Sequence, residues 1–333
     1  MKVFDLHCDT LSELRYAERR GEAKSFATND LHIDLEKLHR GDYMLQCFAA
    51  FVNLSDPTPG ADPLVTALEE VDVFKRIMAK YSDQIAPVYR PEDIRHNAQA
   101  GKISGMLTIE EGGCCKGSLG VLRQMYELGA RMMTLTWNHE NELASPNVVP
   151  GGGGDIWPCK PNTETGLKER GFEFLAEMER LHMIVDVSHL SDRGFWDIAE
   201  HSTRPFAASH SNCRALAPHC RNLTDEMIRV MAEKGGLVGL NYCSGFLDDQ
   251  PRPELCRSTT ALMARHAAHF KQVGGIEIIG LGSDFDGIGG KLEMGDCSKL
   301  PLLADALRKE GFTEDEVEQI FFRNARRFFE ENL

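Results

Sequence analysis

Short apolar runs that end in histidine or a carboxylate recur along this chain, and they constrain its fold more than any other feature. Asp5-Leu6-His7-Cys8-Asp9 opens the sequence; Glu110-Glu111-Gly112-Gly113, Asp186-Val187-Ser188-His189, Ser209-His210-Ser211 and Ser283-Asp284-Phe285-Asp286-Gly287 close later runs. Eight strand candidates can be counted, at 3–7, 44–52, 103–109, 131–137, 183–187, 205–209, 236–242 and 276–282. Most are continuously apolar, as strands of a parallel sheet buried on both faces are. Amphipathic helical stretches lie between them, at 62–81, 118–128, 166–181, 192–200, 224–234 and 259–273. Repeated strand–helix alternation predicts an α/β fold, a (β/α)8 TIM barrel, in one domain spanning 1–333. Such a barrel gathers its strand C-termini at one mouth, so residues spread along the chain can meet there.

The final helix is expected to start near Thr313, with Glu316 completing a capping box, and to serve packing alone through Val317, Ile320, Phe321 and Phe328. The segment 137–165 is the main irregularity. It holds Pro146, Pro150, Pro158, Pro161 and four consecutive glycines, 151–154. A loop this long in a compact domain is usually functional, and it leaves the top of the fourth predicted strand, near the mouth; a plain surface excursion is the alternative.

Composition narrows the partners. The 37 basic and 51 acidic residues give a net charge of −14, which argues against nucleic acid or an anionic membrane. The N-terminus has no apolar signal core and no run is long enough to span a bilayer, so a cytoplasmic location is expected. The ten cysteines include no paired C-x-x-C motifs; Cys8, Cys47 and Cys243 sit in strand-like runs, and all ten are expected to be reduced. A homodimer is left open.

His7 and Asp9 are two apart on a strand, so both point to one face, and imidazole with carboxylate is an ordinary zinc pair. Glu111 follows an apolar run and precedes the Gly112-Gly113 turn. Its two oxygens suit it to bridge two cations, as two-metal sites require. Glu110 competes for that role but is expected to face the other way, in a salt bridge or solvent. His189 and His210 end the fifth and sixth strands, each beside serine hydroxyls that could orient an imidazole. Asp284 ends the eighth, placed to take a proton from water and pass it to a leaving amine. Asp286 either shares that face or is a turn carboxylate before Gly287.

These motifs, in this order, resemble the membrane (renal) dipeptidase family of zinc peptidases. The match runs nearly end to end and includes Asp5-Leu6-His7-Cys8-Asp9, Glu111-Gly112-Gly113 with Ser118-Leu119-Gly120, Leu135-Thr136, the stretch 186–191, Ser209-His210-Ser211 and Asp284-Phe285-Asp286-Gly287. The resemblance implies an amidohydrolase-like barrel and two Zn2+ ions per chain, bridged by Glu111. His7, Asp9 and Glu111 would hold one ion; Glu111, His189 and His210 the other. Asp284 takes the place of the proton-transfer aspartate. Arg221 takes that of an arginine on the substrate's carboxylate, a pairing whose physical basis is the guanidinium's two parallel donors; Arg214 is the alternative. Better-known members carry a substrate-polarising histidine directly after Leu-Thr, where this chain has Trp137. His139, two residues on, is the candidate replacement, as a catalytic and substrate-binding residue. The implied activity is hydrolysis of free dipeptides, with L-D dipeptides included; hydrolysis of another small amide, such as an N-acyl amino acid or a lactam, is the alternative, since loops set specificity on a barrel.

Overall fold

The computed structural model describes residues 1–58, 60–148 and 160–333. Among the described residues there are nine parallel strands: β1 Val3–Asp5, β2 Tyr43–Phe51, β3 Ile85–Pro87, β4 Ile103–Glu110, β5 Ala130–Thr134, β6 Ile184–Asp186, β7 Ala207–Ala208, β8 Leu237–Leu240 and β9 Ile279–Leu281. Eight of them close a ring in the order β1-β2-β4-β5-β6-β7-β8-β9, with β9 returning to β1. This is the predicted TIM barrel. The ninth, β3, was not expected; it adds three residues to the edge of β4 and stays outside the ring. The longest register runs from Leu45 opposite Ser104 to Phe51 opposite Glu110. That pairing fixes the height and facing of the last residues of β4.

Apart from β2 and β4, the strands are shorter than the apolar runs that announced them. The run 276–282 opens as a 3-10 turn, Ile276–Ile278, before β9 begins. The candidate histidines therefore stand just beyond the ladders, at the mouth. The bottom of the barrel is closed by the terminal helix Asn324–Asn332, whose Phe328 and Phe329 pack with Phe4, Leu45, Met106 and Met132. Phe4 and Phe329 stack at 5.2 Å. The predicted capping box is present, with Thr313 N–H donating to Glu316 at 2.9 Å and Glu316 N–H donating back at 3.3 Å.

The described parts of the long loop lie along the mouth: Ala144 bridges Leu167, Pro146 bridges Leu190, and Asn147 N–H donates to the His189 carbonyl at 2.8 Å. Pro150, Pro158 and the four glycines lie outside the described residues. The expectation of ten reduced cysteines fails at Cys220, which is disulfide-bonded. The argument from strand-like runs covered Cys8, Cys47 and Cys243, all free; Cys220 belongs instead to the loop after β7. Among the described residues no helix is long and apolar enough to cross a membrane.

His266, on the helix Thr260–Gly274, ties two mouth loops together. Its Nδ1 accepts from Cys213 N–H and its Nε2 lies on the Leu247 carbonyl, both at 3.1 Å. Burial holds its pKa down at about 4, against the helping Leu247 carbonyl. A histidine depressed in the folded state leaves stability intact above its unfolded value, near 6.5, and removes it as pH falls towards 4. The loss expected over that window is about 3 kcal/mol. Urea midpoints at pH 7.5 and 4.5, for wild type and His266→Gln, check it: the variant should show the smaller difference.

Candidate metal centre and active site

The structure brings His7, Asp9, His189, His210 and Asp284 together at the barrel mouth, all buried. It does not bring Glu111 with them. The Glu110 carboxylate occupies the centre instead, with Oε2 3.2 Å from His7 Nε2 and Oε1 3.1 Å from His189 Nε2 and 3.6 Å from His210 Nε2. The expectation had the two glutamates the wrong way round. β4 runs one residue further than the apolar segment suggested, so Glu110 is its last residue and faces inward. Glu111 follows at φ +99°, turned away. Its oxygens accept from Gly113 N–H at 2.7 Å, Trp137 N–H at 2.8 Å and the Asn141 amide. Burial pushes its carboxyl up to about 7, against those donors. Glu111 thus ties the end of β4 to the loop after β5. A side chain at Gly113 would strike it, since a Cβ there would lie 2.6 Å from Glu111 Oε1.

The spacing at the centre is informative. Tetrahedral zinc with bonds of about 2.0–2.1 Å places its donors about 3.3–3.4 Å apart. His7 Nε2 lies 3.4 Å from Asp9 Oδ2 and 3.2 Å from Glu110 Oε2. His189 Nε2 and His210 Nε2 face each other at 2.9 Å, with Glu110 Oε1 beside them. One carboxylate thus divides its two oxygens between two donor sets. His7 and Asp9 also lie mutually within 4.8 Å of Asp284, as do His7, Glu110 and His210 of one another. Among the described residues His7 Nε2 and Asp9 Oδ1 are buried without a hydrogen-bond partner. Donor atoms packed this closely without satisfying one another are what a cation site requires.

The charge balance agrees. Burial and the nearby His7 and Arg221 keep His210 neutral, its pKa well below the ordinary value; burial and Arg221 hold His189 at about 3. Both therefore offer lone pairs. Burial disfavours charge on His7 too, but Glu110 and Asp9 outweigh it and raise its pKa well above normal. The residues present fit divalent metal, with His7, Asp9, Glu110, His189 and His210 as the N/O donor set.

Asp284 sits at φ +61°, 9% exposed, with Oδ2 accepting from Asn241 Nδ2 at 2.9 Å. Burial raises its carboxyl to about 6, against the pull of His7. Gly287 must lack a side chain here: a Cβ would lie 2.1 Å from Asp9 Oδ2 and 2.6 Å from Asp284 Oδ1. Asp286 is a brace, accepting from Thr10 Oγ1 and His32 N–H, each at 2.7 Å.

Arg221 is 3% exposed. It donates to the His210 carbonyl at 3.1 Å and the Ser211 hydroxyl at 3.4 Å, and its Nε is unpaired among the described residues. Its guanidinium lies 5.3 Å from the centroid of Phe246, a wall of the mouth cavity, which Arg221 itself does not line. Arg214 is engaged elsewhere, in a two-bond pair with Asp192 at 2.6 and 2.8 Å. His139 is not delivered to the centre. Its Nε2 lies on Asn53 Oδ1 at 3.1 Å and Nδ1 on Ser55 Oγ at 3.4 Å, outside the cavity wall. The chain turns after Trp137, which lines the cavity itself and packs edge-on against Phe51.

Two residues escaped the sequence reading. Asn138 lines the cavity, and its Oδ1 takes the His189 Nδ1 proton at 2.9 Å, which leaves Nε2 as the free lone pair. Asn241 holds Asp284. Asn241 falls within the predicted run 236–242, and an asparagine was the only signal there. The cavity over the centre measures about 440 Å³, enough for a small ligand.

Comparison with known proteins fits this geometry. A family model described as membrane dipeptidase (peptidase family M19) matches residues 1–332. An uncharacterized dipeptidase of Schizosaccharomyces pombe is 33% identical over 311 residues, 89% of this chain and 71% of the relative. An uncharacterized protein of the pqqA 5′ region in Klebsiella pneumoniae is 32% identical over 266 residues, 80% of this chain and 95% of the relative. The crystal structure of a metallo peptidase from Rhodobacter sphaeroides, liganded with a phosphinate mimic of the dipeptide L-Ala-D-Ala, superposes with TM-score 0.89 at 26% identity, covering 100% of this chain and 99% of that one. With its barrel, its buried donor set and these relatives, the chain belongs to the membrane dipeptidase family and is a metallo-dipeptidase.

Proposed function

We propose that the protein hydrolyses free dipeptides at a two-zinc centre held by His7, Asp9, Glu110, His189 and His210, with Glu110 shared between the ions. The observation that carries this is the division of the Glu110 carboxylate between two donor sets at zinc-like spacing. Zinc bound there supplies Lewis acidity to the peptide carbonyl and lowers the pKa of water at the centre. Asp284 accepts the proton and delivers it to the departing amine nitrogen; Asn241 fixes its other oxygen for that exchange. Trp137, Phe51 and Phe246 wall the cavity and limit water around the reacting bond. Arg221 anchors the substrate's C-terminal carboxylate, a role supported by its burial and its unpaired Nε. The liganded Rhodobacter relative supports acceptance of a D-residue at the second position.

The test compares L-Ala-L-Ala, L-Ala-D-Ala, an N-acetylated analogue and a C-amidated analogue as substrates of zinc-loaded protein. Both free dipeptides should be cleaved, and the amidated one should not. Arg221→Met should raise KM for free dipeptides by roughly 30-fold or more, about 2 kcal/mol, as loss of a buried charge partner does. Faster cleavage of the N-acetylated peptide would move the reading to an N-acyl amino acid hydrolase. An unchanged KM in the variant would remove Arg221 from the substrate.

A further inference from the structure

Resting on the dipeptide reading above, we propose that Glu13 selects dipeptides whose N-terminal residue carries a cationic side chain, lysine or arginine. Glu13 stands in the first turn of the helix Thr10–Arg19 and lines the mouth cavity. Five carboxylates face that cavity, and no lysine or arginine does among the described residues. Three of the five, Asp9, Glu110 and Asp284, belong to the centre. Asp286 is held by Thr10 and His32. The Glu13 carboxylate alone makes no hydrogen bond or ion pair among the described residues, while its backbone N–H donates to the Asp9 carbonyl at 3.3 Å as the helix begins. The cations that act on it, Arg20 and Lys24, make their ion pairs with Glu22 and Asp30 instead. Burial and the neighbouring Asp286 raise its carboxyl above the ordinary range. A cation brought to it would relieve that cost.

Two further observations point the same way. Tyr16, one turn on from Glu13 in the same helix, lines the same cavity. The barrel's order also sets direction. Arg221 follows β7, and the strand four places round the ring from β7 is β2, with β1 beside it. A dipeptide held by its carboxylate at the β7 side must present its N-terminal residue towards the loops after β1 and β2. The helix after β1 carries Glu13 and Tyr16, and Phe51 ends β2 with Asn53 just beyond it. The rings of Tyr16 and Phe51 suit the aliphatic stem of lysine or arginine, while Glu13 meets its charged end.

The experiment measures kcat/KM of zinc-loaded protein for Lys-Ala, norleucine-Ala and Glu-Ala. Norleucine keeps the stem of lysine and lacks its charge. Lys-Ala should exceed norleucine-Ala by on the order of tenfold, chiefly through KM, as a charge-assisted contact would give. In Glu13→Gln that ratio should collapse towards one, and in Glu13→Lys Glu-Ala should overtake Lys-Ala. Because each ratio is taken within one protein preparation, partial misfolding of a variant cancels. Equal rates for Lys-Ala and norleucine-Ala in the wild type, or a ratio that survives in Glu13→Gln, would overturn the assignment. Cleavage of none of the three would overturn the dipeptide reading itself, and this inference with it.

Discussion

Glu110→Gln is expected to lower kcat by at least about 10³-fold and to strip metal from the protein, whereas Glu111→Gln should keep its metal. The two residues are neighbours in sequence with opposite environments. Glu110 gives one oxygen to His7 and the other to His189 and His210, so an amide there replaces a shared anionic oxygen with a nitrogen donor that repels a cation. Glu111 accepts only from N–H groups, those of Gly113, Trp137 and Asn141. Glutamine in its place keeps one acceptor and sets its NH2 against a donor, a cost of about 1–3 kcal/mol in stability. Metal content per chain, kcat and the thermal midpoint separate the two. Loss of metal from Glu111→Gln with retention in Glu110→Gln would reverse the assignment.

Asp284→Asn should retain its metal and lose about 10²- to 10⁴-fold in kcat, the range for a lost proton-transfer group, with KM little changed. The side chain is nearly isosteric and its Oδ1 can still accept from Asn241, so the mouth should keep its shape. What disappears is the ability to hold and return a proton. Metal loss in this variant would make Asp284 a ligand, in line with its closeness to His7 and Asp9. Retained turnover would take it out of the reaction.

Much of this was legible in the chain because a parallel barrel leaves a periodic trace. His7, His189, His210 and Asp284 each end a continuous apolar run, and the runs meet at one mouth. The error at Glu110 and Glu111 has the same origin. Facing alternates residue by residue, so misjudging the length of β4 by one residue exchanges the two glutamates between inside and outside. A φ of +99° at Glu111 and +69° at His189 lies beyond any periodicity argument. β3 was missed because three residues ending in proline give no pattern. Asn138 and Asn241 were missed because they act on His189 and on Asp284, and asparagine carries no mark of such work in a sequence. His139 looked placed for catalysis by its distance from Leu135-Thr136, but the turn after Trp137 sends it to Asn53.

The most direct test of a dipeptidase centre bridged by Glu110 is a zinc titration. Metal-free protein is given increasing equivalents of zinc, and L-Ala-L-Ala turnover is followed at each. The account predicts that turnover climbs to a plateau at two zinc ions per chain. A plateau at one ion, or no turnover by protein carrying two, would contradict it.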